Sequence, residues 1–157
     1  MSDAKENPES SAWILYINPL IAVALGQYEI VYILKYENHR LKDVTGPDFC
    51  NQTILWQDKT IKVIDLNHFI NLKINDSEKL SYEYIVVLPC IKKTGDITFF
   101  GLKIINIPIK LRVKDTQQCD YPGNYNWVKL SSSCFYDEKY GIIPILDLGK
   151  VSNYLEA

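Results

Sequence analysis

No apolar run in this chain of 157 residues approaches the roughly 20 consecutive residues that a membrane helix requires, so direct insertion by a helical span is not expected. A strong charge excess is missing too. The formal net charge is -2 and the pI is near 5.7, whereas a dedicated nucleic-acid binder usually carries a pronounced basic surplus. Basic residues do gather between Lys92 and Lys114, where they read as solvated strand faces or, alternatively, as an anion or partner patch. Close cysteine pairs are absent as well. Cys50, Cys90, Cys119 and Cys134 form no CxxC, and the His39 and His68 that might join them show no ligand spacing. The cysteines therefore read as reduced and structural, and no metal or cofactor is expected. The first eleven residues have neither the apolar core of a signal peptide nor the pattern of an amphipathic anchor. Residues 1–11 read as a disordered tail, residues 12–157 as one domain, and the location as cytoplasmic.

What the chain does have is a stretch around which the rest is arranged. Ile54-Leu55-Trp56 and Ile61-Lys62-Val63-Ile64 are two β-rich runs separated by Gln57-Asp58-Lys59, a hairpin signal with Asp58 suited to the turn. Asp65 ends the second run and precedes Leu66-Asn67-His68-Phe69, where a carboxylate can accept backbone N–H groups and start a helical turn. The pattern returns near the C-terminus. Ile61-Lys62-Val63-Ile64-Asp65-Leu66 aligns with Ile143-Pro144-Ile145-Leu146-Asp147-Leu148, which predicts one strand-to-capped-turn corner in each half of the chain.

Elsewhere, short β-rich runs alternate with turn signals. Trp13–Ile17 begins them, and Leu20–Leu25 with Tyr28–Tyr36 suggests a hairpin across Gly26-Gln27. Tyr82–Leu88 is a strand ended by Pro89, and Gly95-Asp96 marks another hairpin tip. Ile97–Val113 is long for one strand, with Gly101 at a bend or bulge and Pro108 disfavouring full pairing. Trp127–Cys134 and Gly141–Leu146 are the last strands, and Leu148–Leu155 closes the chain as a short helix. The class is all-β, a barrel or sandwich with minor helices.

With these residues placed, the order of elements resembles the CheW-like family of bacterial chemosensory adaptors. Its G-V-I-N-L-R-G hairpin tip and V-I-D-L strand end correspond to Thr53–Asp58 and Val63-Ile64-Asp65-Leu66. Its closing I-P-L-L-D-L segment corresponds to Ile143–Leu148, and its L-G-x-x-x-Y-G-I opening to Ala24–Ile30. The resemblance implies two small five-stranded SH3/OB-like β-barrel subdomains packed on an apolar seam. It also implies a non-enzymatic scaffold that binds the cytoplasmic tip of a chemoreceptor and a histidine kinase of CheA type. The family's tip arginine and glycine are absent here, so a contact that used that arginine's bidentate fork is lost. The glycine after the tyrosine is Glu29.

On this reading the candidate partner-binding residues are Tyr36, Glu37, Trp56, Gln57 and Asp58. An exposed Trp56 would be an interface anchor; the alternative folds it into the seam. Other readings compete. Asp65 and Asp147 lack the D-T/S-G context of paired catalytic carboxylates, so they read as caps. A small β-barrel hydrolase using Asp65, His68 or Cys134 would need a nucleophile on a strained turn, and no G-x-S-x-G is present. Tyr28, Tyr32 and Tyr36 would share one face of a straight strand, but a base-stacking platform also needs interleaved basic residues. A diverged binding protein outside chemotaxis is the remaining alternative.

Overall fold

The computed structural model describes residues 9–70, 80–121 and 127–155. In chain order the elements are β1 (Glu9–Asn18), β2 (Ile21–Gly26), β3 (Tyr32–Lys35), β4 (Leu41–Asp43), β5 (Gln52–Trp56), β6 (Lys59–Ile64), the single turn α1 (Leu66–Phe69), β7 (Tyr84–Ile91), β8 (Ile97–Ile104), β9 (Ile109–Lys114), β10 (Ser131–Asp137), β11 (Gly141–Leu146) and α2 (Leu148–Leu155). No helix among the described residues is long and apolar enough to cross a membrane.

Two curled sheets form half-barrels. One has the order β10-β11-β2-β1-β9, the other β3-β7-β8-β6-β5-β4. Read from opposite ends the two orders match. Each is antiparallel except at one parallel seam, β11 with β2 and β6 with β8. The two halves of the chain do not build one sheet each. The β1–β2 hairpin is completed by β9, β10 and β11 from the second half, and the β7–β8 hairpin by β3, β4, β5 and β6 from the first.

Alternation along the strands sorts the core into three parts, because successive side chains point to opposite faces. Ala12, Ile14, Ala22, Ala24, Phe135 and Ile143 fill the five-stranded half-barrel. Ile54, Trp56, Ile61, Val63, Ile85 and Val87 fill the six-stranded one. The opposite faces of the same strands meet between the sheets, where Leu15, Ile17, Val23, Leu25, Val86, Leu88, Phe100 and Leu102 pack with Trp127 and the two helices. The cluster between the sheets is larger than the two barrel interiors together, so most apolar burial, the main stabilising term, joins one sheet to the other.

Several expectations are corrected. The second sheet has six strands, because β4 adds three residue pairs beside β5. Leu20–Leu25 does not pair with Tyr28–Tyr36; both sides of β2 are taken by β1 and β11, and β3 pairs instead with β7. Glu29 redirects the chain, since its N–H donates to the Gly26 carbonyl and its Oε1 accepts the Gly26 N–H at 2.6 Å. Pro89 lies inside β7, paired with Phe99 beyond the reach of β3, so no ladder donor is lost. Gly101 is no bulge. The β7–β8 register runs through it unbroken, and a Cβ there would stand 2.6 Å from Ile85 Cγ2. Ile97–Val113 divides into β8 and β9, and Trp127–Lys129 is a 3-10 turn before β10. Glu9, Ser10 and Ser11, expected in the tail, instead extend β1 by pairing with β9; the remainder of the tail expected over residues 1–11 lies outside the described residues.

Candidate functional site

The β5–β6 hairpin forms as the sequence suggests. Gln57 (φ 49°) and Asp58 (φ 62°) both occupy the left-handed region, the backbone of a two-residue type I′ turn whose twist suits the flanking strands. Both are exposed. Trp56 is not. Only 7% of it is accessible, and its ring packs on Phe99 at 5.1 Å and Tyr32 at 6.4 Å inside the six-stranded half-barrel. It is therefore neither the exposed anchor nor part of the seam. The parity is set by Ile54 and Ile61, paired across the hairpin and both turned inward; Trp56 shares that face, and Leu55, 58% exposed, takes the outer one.

Beside Leu55 the structure brings in a residue that sequence reasoning missed. Tyr36 and Glu37 begin the crossover from β3 to β4, which includes a 3-10 turn at Asn38–Arg40. Arg40 Nη2 reaches to 3.5 Å from the Leu55 carbonyl, so a guanidinium stands next to the tip although none is encoded within it. Tyr36 is half-buried, its ring 5.8 Å from that of Tyr82 and its hydroxyl donating to Asn38 at 3.0 Å. Glu37 lies 3.6 Å from His39. Only the fold joins Arg40 to Leu55, fifteen positions away.

Behind this surface Asp65 anchors a polar network. Its Oδ1 accepts the Asn67 N–H at 3.0 Å, capping α1, and its Oδ2 accepts the Tyr82 hydroxyl at 2.6 Å. The Asn67 side chain donates to the Ile17 carbonyl at 2.6 Å and accepts from Asn18 Nδ2 at 2.8 Å. Asn18 in turn accepts the N–H groups of Leu20 and Ile21 in the β1–β2 turn. The network thus runs from one sheet's corner to the other sheet's hairpin. Burial, and then the Asp65 charge, push the Tyr82 hydroxyl far above its ordinary pKa. Lys103 donates to Gln52 Oε1 and lies 5.3 Å from the Tyr82 ring; burial lowers its pKa, while Asp65 and Asp43 oppose the shift.

Asp43, Asp48, Gln52, Asp65, His68 and Lys103 border a cleft of about 290 Å³. His68 Nε2 comes within 3.9 Å of Asp65 Oδ2, but among the described residues no serine, threonine or cysteine lines this cleft. Cys134 belongs to the other sheet, buried on β10. The hydrolase trio is thus not brought together. Asp147 stands at the matching corner as a plain cap, accepting the Lys150 N–H at 3.2 Å. The basic residues between Lys92 and Lys114 are divided as well. Lys92 and Lys93 flank the β7–β8 turn, Lys103 turns in against Tyr82, and Lys110 lies 5.8 Å from the Trp13 ring. Among the described residues no three metal-ligating side chains converge.

No family model matches the chain, and no curated protein matches it in sequence. Among solved structures it is similar to the crystal structure of the scaffolding protein TtCheW from Thermoanaerobacter tengcongensis. The two are 13% identical, with a TM-score of 0.71 over 95% of this chain and 91% of that one. The likeness is one of fold: mostly strand, two curled sheets forming half-barrels, and a few short helices.

Proposed function

We propose that this protein is a non-enzymatic adaptor of bacterial chemosensory signalling, acting in the cytoplasm. It couples a chemoreceptor or other sensor to a histidine kinase of CheA type by protein–protein contacts. The observation that carries the reading is the likeness, across nearly the whole chain, to the fold of a scaffolding protein. The partner face is the outer side of the β5–β6 hairpin, with Gln57 and Asp58 at its tip, Leu55 and Arg40 beside them, and Tyr36 and Glu37 at the start of the crossover. Arginine is among the residues enriched in interface hot spots, and Leu55 gives Arg40 an exposed apolar neighbour. Trp56 supports this face from beneath by filling the half-barrel. Residues 12–157 act as a single adaptor domain in this reading.

The test is capture of a receptor cytoplasmic-tip fragment and of a CheA-type kinase by the wild type, Leu55→Glu and Arg40→Glu. Each substitution is expected to weaken capture at least about tenfold, a loss of about 1.4 kcal/mol, with unchanged thermal unfolding. Wild-type protein that captures neither partner would end the proposal. The missing tip arginine favours one second reading, a diverged protein of the same fold that binds partners outside chemotaxis. Capture of neither partner would leave that reading standing.

A further inference from the structure

The two half-barrels are closed by the same device. After β3 the chain crosses to β4, which lies along β5; after β9 it crosses to residues 115–120, which lie along β10. The first closure makes three residue pairs. The second makes one backbone bridge, Gln118 with Phe135, supported by the Gln117 side chain donating to the Tyr136 carbonyl at 3.1 Å. Next to that bridge Cys119 donates its N–H to the Cys134 carbonyl at 2.9 Å, and the two sulfurs lie 3.7 Å apart.

We propose that Cys119 and Cys134 form a reversible disulfide that staples the closure of the five-stranded half-barrel. Residues directly opposed on antiparallel strands have Cα atoms about 4.5–5.5 Å apart, inside the range of about 4.4–6.8 Å that a disulfide spans. Side-chain rotation, without strand movement, therefore brings the sulfurs to bonding distance. Access is asymmetric. Cys119 is partly exposed and lines an open groove of about 710 Å³, whereas Cys134 is buried and its thiol is pushed up to about 12, chiefly by burial. Cys119 is thus the sulfur that meets an oxidant first.

With a low-molecular-weight disulfide as oxidant, the Cys119 thiolate attacks one of its sulfurs and expels one thiolate, leaving a mixed disulfide on Cys119. Cys134 then loses its proton and attacks the Cys119 sulfur, expelling the second thiolate. Two protein thiols are oxidised to one disulfide, and the small disulfide is reduced to two thiols, which take up the two protons. The product ties positions 15 apart in sequence across a closure otherwise held by a single bridge pair and a few hydrogen bonds. It restricts the unfolded chain without demanding a new fold.

The experiment incubates the reduced full chain with excess oxidised glutathione, counts thiols after denaturation, and maps the peptides. Titratable thiols are expected to fall from four to two and to return with dithiothreitol. The map should join Cys119 to Cys134, and the melting temperature should rise by several degrees. Cys119→Ala and Cys134→Ala should each abolish both the cross-link and the rise. Four thiols persisting in the wild type, a glutathione adduct on Cys119 that never resolves, or a cross-link through Cys50 or Cys90 would each overturn the proposal. These outcomes are read on the wild type, so they hold even if a variant fails to fold.

Discussion

Asp65 and Asp147 end matching strands, begin matching helices, and even donate their own N–H groups to matching partners, the carbonyls of Phe49 and Leu130, each at 2.8 Å. Their surroundings differ. Asp147 accepts one backbone N–H, and Lys150 next to it donates its ammonium to the Val128 and Ser131 carbonyls. Asp65 accepts a backbone N–H and a tyrosine hydroxyl, and through Asn67 and Asn18 it reaches the opposite sheet. A repeated sequence motif has therefore fixed the backbone twice, while its electrostatic role was settled by what the fold brought alongside. One corner is a helix cap; the other is a cap that also joins the sheets.

Substitution at the two aspartates tests that contrast most strongly. Asp65→Ala removes a charged acceptor from two donors in a buried setting and is expected to cost about 3 kcal/mol, whereas Asp147→Ala should cost about 1 kcal/mol, the usual loss for a cap. Denaturant unfolding of both reads the difference, and equal losses would break the comparison. Tyr82→Phe comes next, at about 2 kcal/mol near neutral pH for the hydroxyl bonded to Asp65. Because the folded-state pKa of Tyr82 is raised above its unfolded value of 10.0, the stability it contributes is complete below pH 10 and is lost as pH rises further. The wild type should therefore weaken more steeply than Tyr82→Phe above about pH 10; parallel pH profiles would remove Tyr82 from the network.

The smallest effect concerns the hairpins that lead into the corners. The β10–β11 turn has a glycine at positive φ, Gly141 at 79°, while the β5–β6 turn holds Asp58 at 62°. Asp58→Gly relieves a left-handed non-glycine residue, and the gain is partly offset by added freedom in the unfolded chain. A net rise of about 0.5 kcal/mol in stability is expected, measurable as a shift in urea midpoint; a fall would mean that the Asp58 side chain contributes a contact that outweighs the strain.

What could be read before folding was local. The β5–β6 hairpin, the two caps, the Gly95 turn and the closing helix each depend on residues a few positions apart, so propensity and turn chemistry suffice. The partners of the strands are another matter. Tyr28–Tyr36 follows β2 directly, yet β3 pairs with β7 because β2 already has two neighbours. Trp56 at a hairpin end reads either as an exposed anchor or as a side chain folded into the seam until the inward parity of Ile54 and Ile61 is known. The site was legible in the same uneven way: Gln57 and Asp58 are at the tip as read, Trp56 is not offered to solvent, and Arg40 arrives through a crossover that no local pattern announces.

The exchange of hairpins between halves bears on how the molecule is made. A ribosome releases β1 and β2 long before β9, β10 and β11 exist to complete their sheet, and β3 to β6 must wait for β7 and β8. Neither half-barrel can form during early synthesis, and the five-stranded one must bring Ala24 of β2 beside Ile145 of β11. Such long-range pairing slows folding and leaves strand edges open in the interval. The nascent protein should therefore remain a client for chaperones until its last hairpin has emerged.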